Sequence, residues 1–415
     1  MSQDTLTYDE ALHIVLAASA KLGTEPCSLG ACLGRVLAEP LISNVDLPPF
    51  DNSAMDGFAL SGGAIVPAGT ELSIEGEQAA GDGVAHAGIG AWEIMTGARM
   101  PDGLDRVIPV EQTERFPPSR VRLLADVAPG QNVRTAGSDV ARGETLLDAG
   151  IALQAQHLML LAALGIANVS VAQRPRMAVI CTGRELVDDP AQALAPGQIR
   201  NSNGPFLAAR LPLAGAEVVH VETVGDDADA FESAMRRALN AGAKIVVTSG
   251  AVSMGRYDFV PQALERLGAK TLFHKVAIRP GKPMLFARLP DDVLLFGLPG
   301  NPIAVAVGLR FFVEPALRVM LGLPREAPRR AALIKPYSKK PRLRFHLKSR
   351  LHIDAQGRLG VEVLDGQESY RIRPLSDANA WAVVSADIDA LPAGALVDIY
   401  GVGHLEFPLP YGSAA

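Results

Sequence analysis

Apolar positions recur at helical spacing over residues 7–20, where Leu12, Val15 and Leu16 form a stripe and Thr7 with Glu10 makes a capping box at its start. From 46 to about 138 the rhythm changes to short β-like runs cut by Gly and Pro, such as 71–76, 106–110 and 120–125. A second helix is expected over 154–164 and a strand over 168–172, before Arg174-Pro175-Arg176 marks a boundary. The helical pieces flanking the β-rich segment are expected to pack together, which makes that segment an insertion. Beyond the boundary, 177–181, 218–224, 244–248 and 293–296 read as buried strands. Residues 227–240 read as a helix with acids at its start and Arg236 and Arg237 near its end, which suits the helix dipole. Alternation of this kind predicts a mostly parallel, doubly wound sheet with its site beyond the carboxyl ends of the strands. The tail, to about 405, alternates weakly between Pro and Gly breaks, the pattern of a small β-barrel or sandwich.

Composition narrows the function. With 39 Lys and Arg against 45 Asp and Glu in 415 residues, the formal charge of −6 gives no general pull toward nucleic acid or anionic lipid, so neither is expected as a partner. Three cysteines without zinc spacing exclude a disulfide framework and suit a reducing compartment. The first ten residues lack the order of a signal peptide, and no apolar run approaches the roughly 18 residues of a membrane span. A cytoplasmic location is therefore expected. Residues 324–350 hold ten Lys or Arg against Glu326 alone, a run that reads as a solvated linker and charged edge strand in preference to a binding patch.

Five loops at predicted strand ends carry candidate chemistry: 182–185, 201–204, 249–258, 279–283 and 297–302. Their glycines allow close backbone approach, and a loop that opens into a helix points N–H groups at an anion, so a phosphate-bearing ligand is expected. A P-loop or a strand-placed GxGxxG is missing from the sequence, which disfavours an NTPase or a dehydrogenase. Lys275 and Lys282 are candidates for neutralising phosphate, and Glu185, Asp226 and Asp258 for holding a divalent cation through oxygen. Asp226 and Asp258 are placed equally well to cap helices.

The strings DNSAMDGFAL, IMTGARMPDG, TGRELV, GQIRNSNGP, TSGAVSMGRYDFV, RPGKPM and GLPGNPIAVAV, in this order, closely resemble the molybdopterin molybdenumtransferase family, the MoeA type, which is similar to the C-terminal part of gephyrin. The resemblance runs from about 5 to 405. It implies a multidomain α/β and β fold: an N-terminal and linker domain of helical character (1–50 and 139–173), an inserted β-rich lid (51–138), a doubly wound molybdopterin-binding domain (174–323) and a C-terminal β-barrel-like domain (324–415). It implies a homodimer in which the lid of one subunit faces the α/β domain of the other. The implied activity is insertion of molybdate into adenylylated molybdopterin with release of AMP, with Mg²⁺ as cofactor and a molybdopterin adenylyltransferase as upstream partner.

Carried over by motif, Asp56, Glu185 and Asp258 are implied to be catalytic and Asp226, Glu185 and Asp258 to bind metal. Thr96, Ser202, Asn203, Ser249, Gly250, Lys275, Lys282, Pro299, Pro302, Arg342 and Ser369 are implied to bind substrate. Carboxylates repel molybdate unless protonated or metal-bound, so at least one of the catalytic three is expected to have a raised pKa. Arg184 and Arg256 stand where the family commonly has Asp, and Ser138 where it has Glu. Those departures keep open a paralogue specialised for tungstate or for carrying cofactor; a gephyrin-like scaffold is the non-enzymatic alternative.

Overall fold

The chain was analysed as a computed structural model that describes residues 5–251, 259–340, 342–406 and 411–412. At its centre a six-stranded sheet runs in the order Glu217–Val224, Arg176–Thr182, Ile245–Ser249, Leu294–Leu298, Leu285–Arg288, Lys270–His274. The first four strands are mutually parallel, and the last two pair antiparallel. Those two were not anticipated from the pattern. Only the turn around Pro290–Asp292 separates Leu285–Arg288 from Leu294–Leu298, too few residues for the crossover that a parallel partner needs, so the connection is a hairpin.

Side chains of Arg176–Thr182 alternate between two cores. Met177, Val179 and Cys181 pack with Leu207 and Leu211 on one face, and Ala178 and Ile180 with Phe231, Met235 and Val260 on the other. The N-terminal helix Tyr8–Ala18 has the expected capping box, but Tyr8, Ala11, Leu12 and Val15 are buried in the first of these cores. Its apolar stripe therefore covers the α/β domain, which corrects the expectation that it packs with Ala155–Ala163. That second helix closes a separate core with Cys27, Cys32 and Val169, beneath the antiparallel pair Thr24–Ser28 and Asn168–Ala172.

The β-rich insertion forms its own six-stranded sheet with its own cores around Phe58, Ile108, Ile94 and Val107. Two chain crossings tie it to the linker. Leu47 and Val140 bond through their backbones, Gly137 N–H donates to Pro48, and Ala136 N–H donates to the Asp51 carboxylate at 2.7 Å.

In the C-terminal region five strands close on themselves: Arg344–Ile353, Leu359–Val363, Arg329–Leu333, Leu396–Gly401 and Ala380–Val384, which returns to Arg344–Ile353. Closure removes the free edge, which corrects the reading of 324–350 as a charged edge strand. Its cations are spent individually: Lys348 is fully buried, Arg344 lies over the Tyr8 ring at 4.3 Å, and Lys335 pairs with Glu362 at 3.0 Å. Trp381 and Val383 of the barrel reach into the α/β core, so the two domains share one apolar interior.

Candidate functional site

The four parallel strands end at Thr182, Val224, Ser249 and Leu298, and the chain beyond all four lines a cleft of about 620 Å³. Glu185, Ser202, Asn203, Asp226, Ser249, Gly250 and Pro302 all line it. Gly250 is required by geometry: its φ is +103°, and a Cβ there would sit 2.4 Å from the Thr182 carbonyl. Asn203 is fixed by two bonds from its amide nitrogen, to Ser249 Oγ and the Gly300 carbonyl, each 2.8 Å. One side chain thus links the ends of three chain segments across the sheet edge.

Behind Asn203 lies a polar cluster of which the motifs contain only Asn201; Asp188 and Thr223 lie outside them. Buried Asn201 donates to Asp188 at 2.9 Å and Thr223 at 3.0 Å, while its oxygen accepts the Gly204 N–H at 3.0 Å. The first turn of helix Asn203–Leu213 is set by these bonds. Burial pushes the neighbouring Cys181 thiol up to about 11, so it stays protonated and inert at neutral pH.

The capping alternative for Asp226 is resolved by its neighbour. Asp227 is the N-cap of helix Ala228–Asn240, accepting the Ala230 N–H at 2.7 Å, which leaves Asp226 facing the cleft, where it accepts the Arg184 N–H at 3.4 Å. Asp258 and Arg256 lie outside the described residues. Among the described residues no three His, Cys, Asp or Glu side chains gather as a metal cluster, so Glu185 and Asp226 are the carboxylates the cleft presents.

A second cavity of about 470 Å³ adjoins the first and shares Asn301 and Tyr370 with it. Lys282, Pro299 and Ser369 line it, together with Arg279 and Gln367. Arg279 stands three residues before Lys282 in the RPGKPM string and was passed over; Tyr370 belongs to none of the seven strings and only the fold brings it here. The expectation that helix Pro302–Gly308 offers its N-terminus to an anion is modified: Pro302 has no N–H, and the Ile303 N–H donates to the Ser369 carbonyl at 3.0 Å. A barrel loop occupies that position.

The remaining candidates lie elsewhere. Lys275 and Arg342 line neither cavity; both have positive φ, and their N–H groups bond Met284 and Ala386. Asp56 and Thr96 meet on the lid surface, where Thr96 N–H donates to Asp56 at 2.6 Å, and neither lines the cleft of its own chain. Hydrogen bonds from Thr96 hold the exposed Asp56 carboxyl below the usual carboxylate range, the reverse of the raised pKa expected of one catalytic acid.

Taken together, a doubly wound domain with a polar cleft at its strand ends, an inserted β-rich domain and a closed barrel that supplies one wall define a multidomain protein with its candidate site at the α/β strand ends. Residues 6–165 match the MoeA N-terminal region (domain I and II), 178–319 a probable molybdopterin binding domain, and 330–402 the MoeA C-terminal region (domain IV). The chain is 36% identical over 404 residues to the molybdopterin molybdenumtransferase of Synechococcus elongatus, covering 95% of this chain and 99% of that one. It is 33% identical to that of Bacillus subtilis, covering 95% and 93%. The crystal structure of the molybdopterin biosynthesis MoeA protein from Pyrococcus horikoshii OT3 superposes with a TM-score of 0.79 at 28% identity, covering 95% of this chain and 99% of that one. The chain belongs to the molybdopterin molybdenumtransferase family, the transferases of molybdenum cofactor biosynthesis.

Proposed function

We propose that the paired cavities bind adenylylated molybdopterin and molybdate, and that the protein inserts the metal oxyanion into the pterin dithiolene with release of AMP. The observation that carries this reading is the opposite balance of charge in two adjoining spaces: Glu185 and Asp226 outnumber Arg200 in one, and Arg279 and Lys282 outnumber Glu368 in the other. Molybdate, a dianion, is drawn to the cationic side, where Arg279 and Lys282 neutralise it and the Ser369 hydroxyl donates to an oxo group. Two soft dithiolene sulfurs at the junction suit a high-valent transition metal.

On the other side the carboxylates need a cation between them and a phosphoanhydride. Two carboxylates plus substrate phosphate oxygens are the donor set Mg²⁺ prefers, so Glu185 and Asp226 fit it, with Asp258 as a third candidate. Bound there, Mg²⁺ would neutralise charge developing on the phosphates. Asn203, braced by Ser249 and Gly300, orients the substrate against this wall. Asp56 and Thr96 enter from the lid of a second copy, which makes the working unit a homodimer. Held ionised, Asp56 acts as an acceptor that orients water or a cation, not as the proton donor for oxo loss. A molybdopterin adenylyltransferase is the upstream partner this substrate requires.

The test is AMP release from adenylylated molybdopterin, with and without molybdate and Mg²⁺, and with tungstate in place of molybdate. Release that depends on molybdate, with the KM for molybdate raised at least about tenfold by Lys282→Ala, is expected. Tight binding without release would overturn the insertase reading in favour of a cofactor carrier. One feature favours that second reading: Arg184, where the family commonly has Asp, places an exposed cation two residues after the strand end at Thr182, next to Glu185 of the cleft.

A further inference from the structure

Lysine is the residue type least often buried, yet Lys348, on the barrel strand Arg344–Ile353, is fully enclosed. Among the described residues its ammonium makes no ion pair. It donates instead to three backbone carbonyls of one loop: Gly366 at 2.6 Å, Arg371 at 3.0 Å and Glu368 at 3.4 Å. Its own backbone is bound by the same loop, since Lys348 N–H donates to Gln367 Oε1 at 3.1 Å and its carbonyl accepts from Gln367 Nε2 at 2.8 Å. Three donors meeting three converging carbonyls saturate an ammonium. An arginine fork, planar and wider, cannot reproduce that convergence.

Residues 367–370 of this loop line the two cavities. Gln367, Glu368 and Ser369 line the cationic cavity, Tyr370 lines both, and the Ser369 carbonyl accepts the Ile303 N–H of the α/β domain. We propose that Lys348 is a positioning residue for the transferase reaction: by gathering the 366–371 carbonyls it holds Ser369 and Tyr370 against the Pro302–Gly308 helix and so completes the oxyanion side of the cleft. The energetic logic is asymmetric. Burial disfavours the ammonium and lowers its pKa, a cost retained only because loop carbonyls replace its water. Without the ammonium, those carbonyls lose a shared donor and the loop loses the reason for its fold.

The inference rests on the proposed function for its kinetic consequence but not for its structural one. Hydrogen exchange of the full-length protein, read at the Ile303 amide and over 366–371, is measured alongside the KM for molybdate and kcat for AMP release. Lys348→Met keeps the volume and removes the donors; it is expected to speed Ile303 exchange at least about tenfold and raise the molybdate KM at least about tenfold, with kcat changed less than about threefold. Gln367→Ala breaks the same arrangement from the loop side and serves if Lys348→Met does not fold. Lys335→Ala, on the barrel surface, is the reference and should change neither. An Ile303 amide that exchanges at the wild-type rate in both folded variants overturns the proposal. Faster Ile303 exchange in a protein that releases no AMP even as wild type leaves the loop assignment standing and defeats the functional reading instead.

Discussion

Asp56 illustrates how a single residue's role depends on what bonds to it. The sequence marks it as one of three acids that would meet an anion, and the structure gives its carboxylate the Thr96 backbone N–H as a partner at 2.6 Å. A depressed pKa contributes stability that is present above the unfolded value of 3.8 and lost as pH falls through the lower folded value. A carboxyl-carbon NMR titration is accordingly expected to show Asp56 ionised from pH 8 down to below 3.8, with no step near neutrality. A step near neutrality would return Asp56 to the role of proton donor.

Among the elements, the N-terminal helix shows a local code at work inside a non-local packing arrangement. Thr7 Oγ1 accepts the Glu10 N–H at 3.3 Å while Glu10 accepts the Thr7 N–H at 2.9 Å, so two of the four orphan donors at the helix start are satisfied. Thr7→Ala is expected to lower the unfolding free energy by about 1 kcal/mol, measured by urea titration. Neither the box nor the stripe says which domain the helix covers. That was settled by Phe312, whose ring meets Tyr8 edge-on at 5.3 Å, and by Arg344 above it, residues more than 300 positions away. The Pro302–Gly308 helix carries the same lesson for function: its sequence reads as an anion cradle, and a carbonyl from the barrel occupies its first available N–H.

For the whole molecule, the joint between the α/β domain and the barrel is polar as well as apolar. Arg310 is buried there with its fork committed to Glu326 at 2.9 and 2.5 Å and its Nε to the Gly401 carbonyl. Glu314 is left with the His404 N–H and two arginines no closer than 3.5 Å, and burial raises its pKa from 4.5 to about 7. A raised carboxyl means that the folded state holds the proton more tightly than the unfolded one, so the stabilisation is full below 4.5 and declines as pH rises toward about 7. Between those limits stability is expected to fall by at most about 3 kcal/mol, at about 1.36 kcal/mol per pH unit, and Glu314→Gln should flatten that slope. Denaturant titrations at a series of pH values read it directly.

Local chemistry was legible in the chain: the capping box, the buried parallel strands and the loops that end them follow from side-chain spacing and from the backbone freedom of residues such as Gly250. Asp226 was legible as a candidate, but its freedom from capping depended on the adjacent Asp227 taking the cap. Tertiary structure alone decided the rest. It closed the basic stretch into a barrel, buried Lys348, and brought Arg279, Tyr370 and Ser369 together beside the helix at Pro302. Spacing along a chain records which neighbours a residue has within a turn or a strand. A site walled by two domains is assembled from residues whose separation in sequence carries no trace of their proximity.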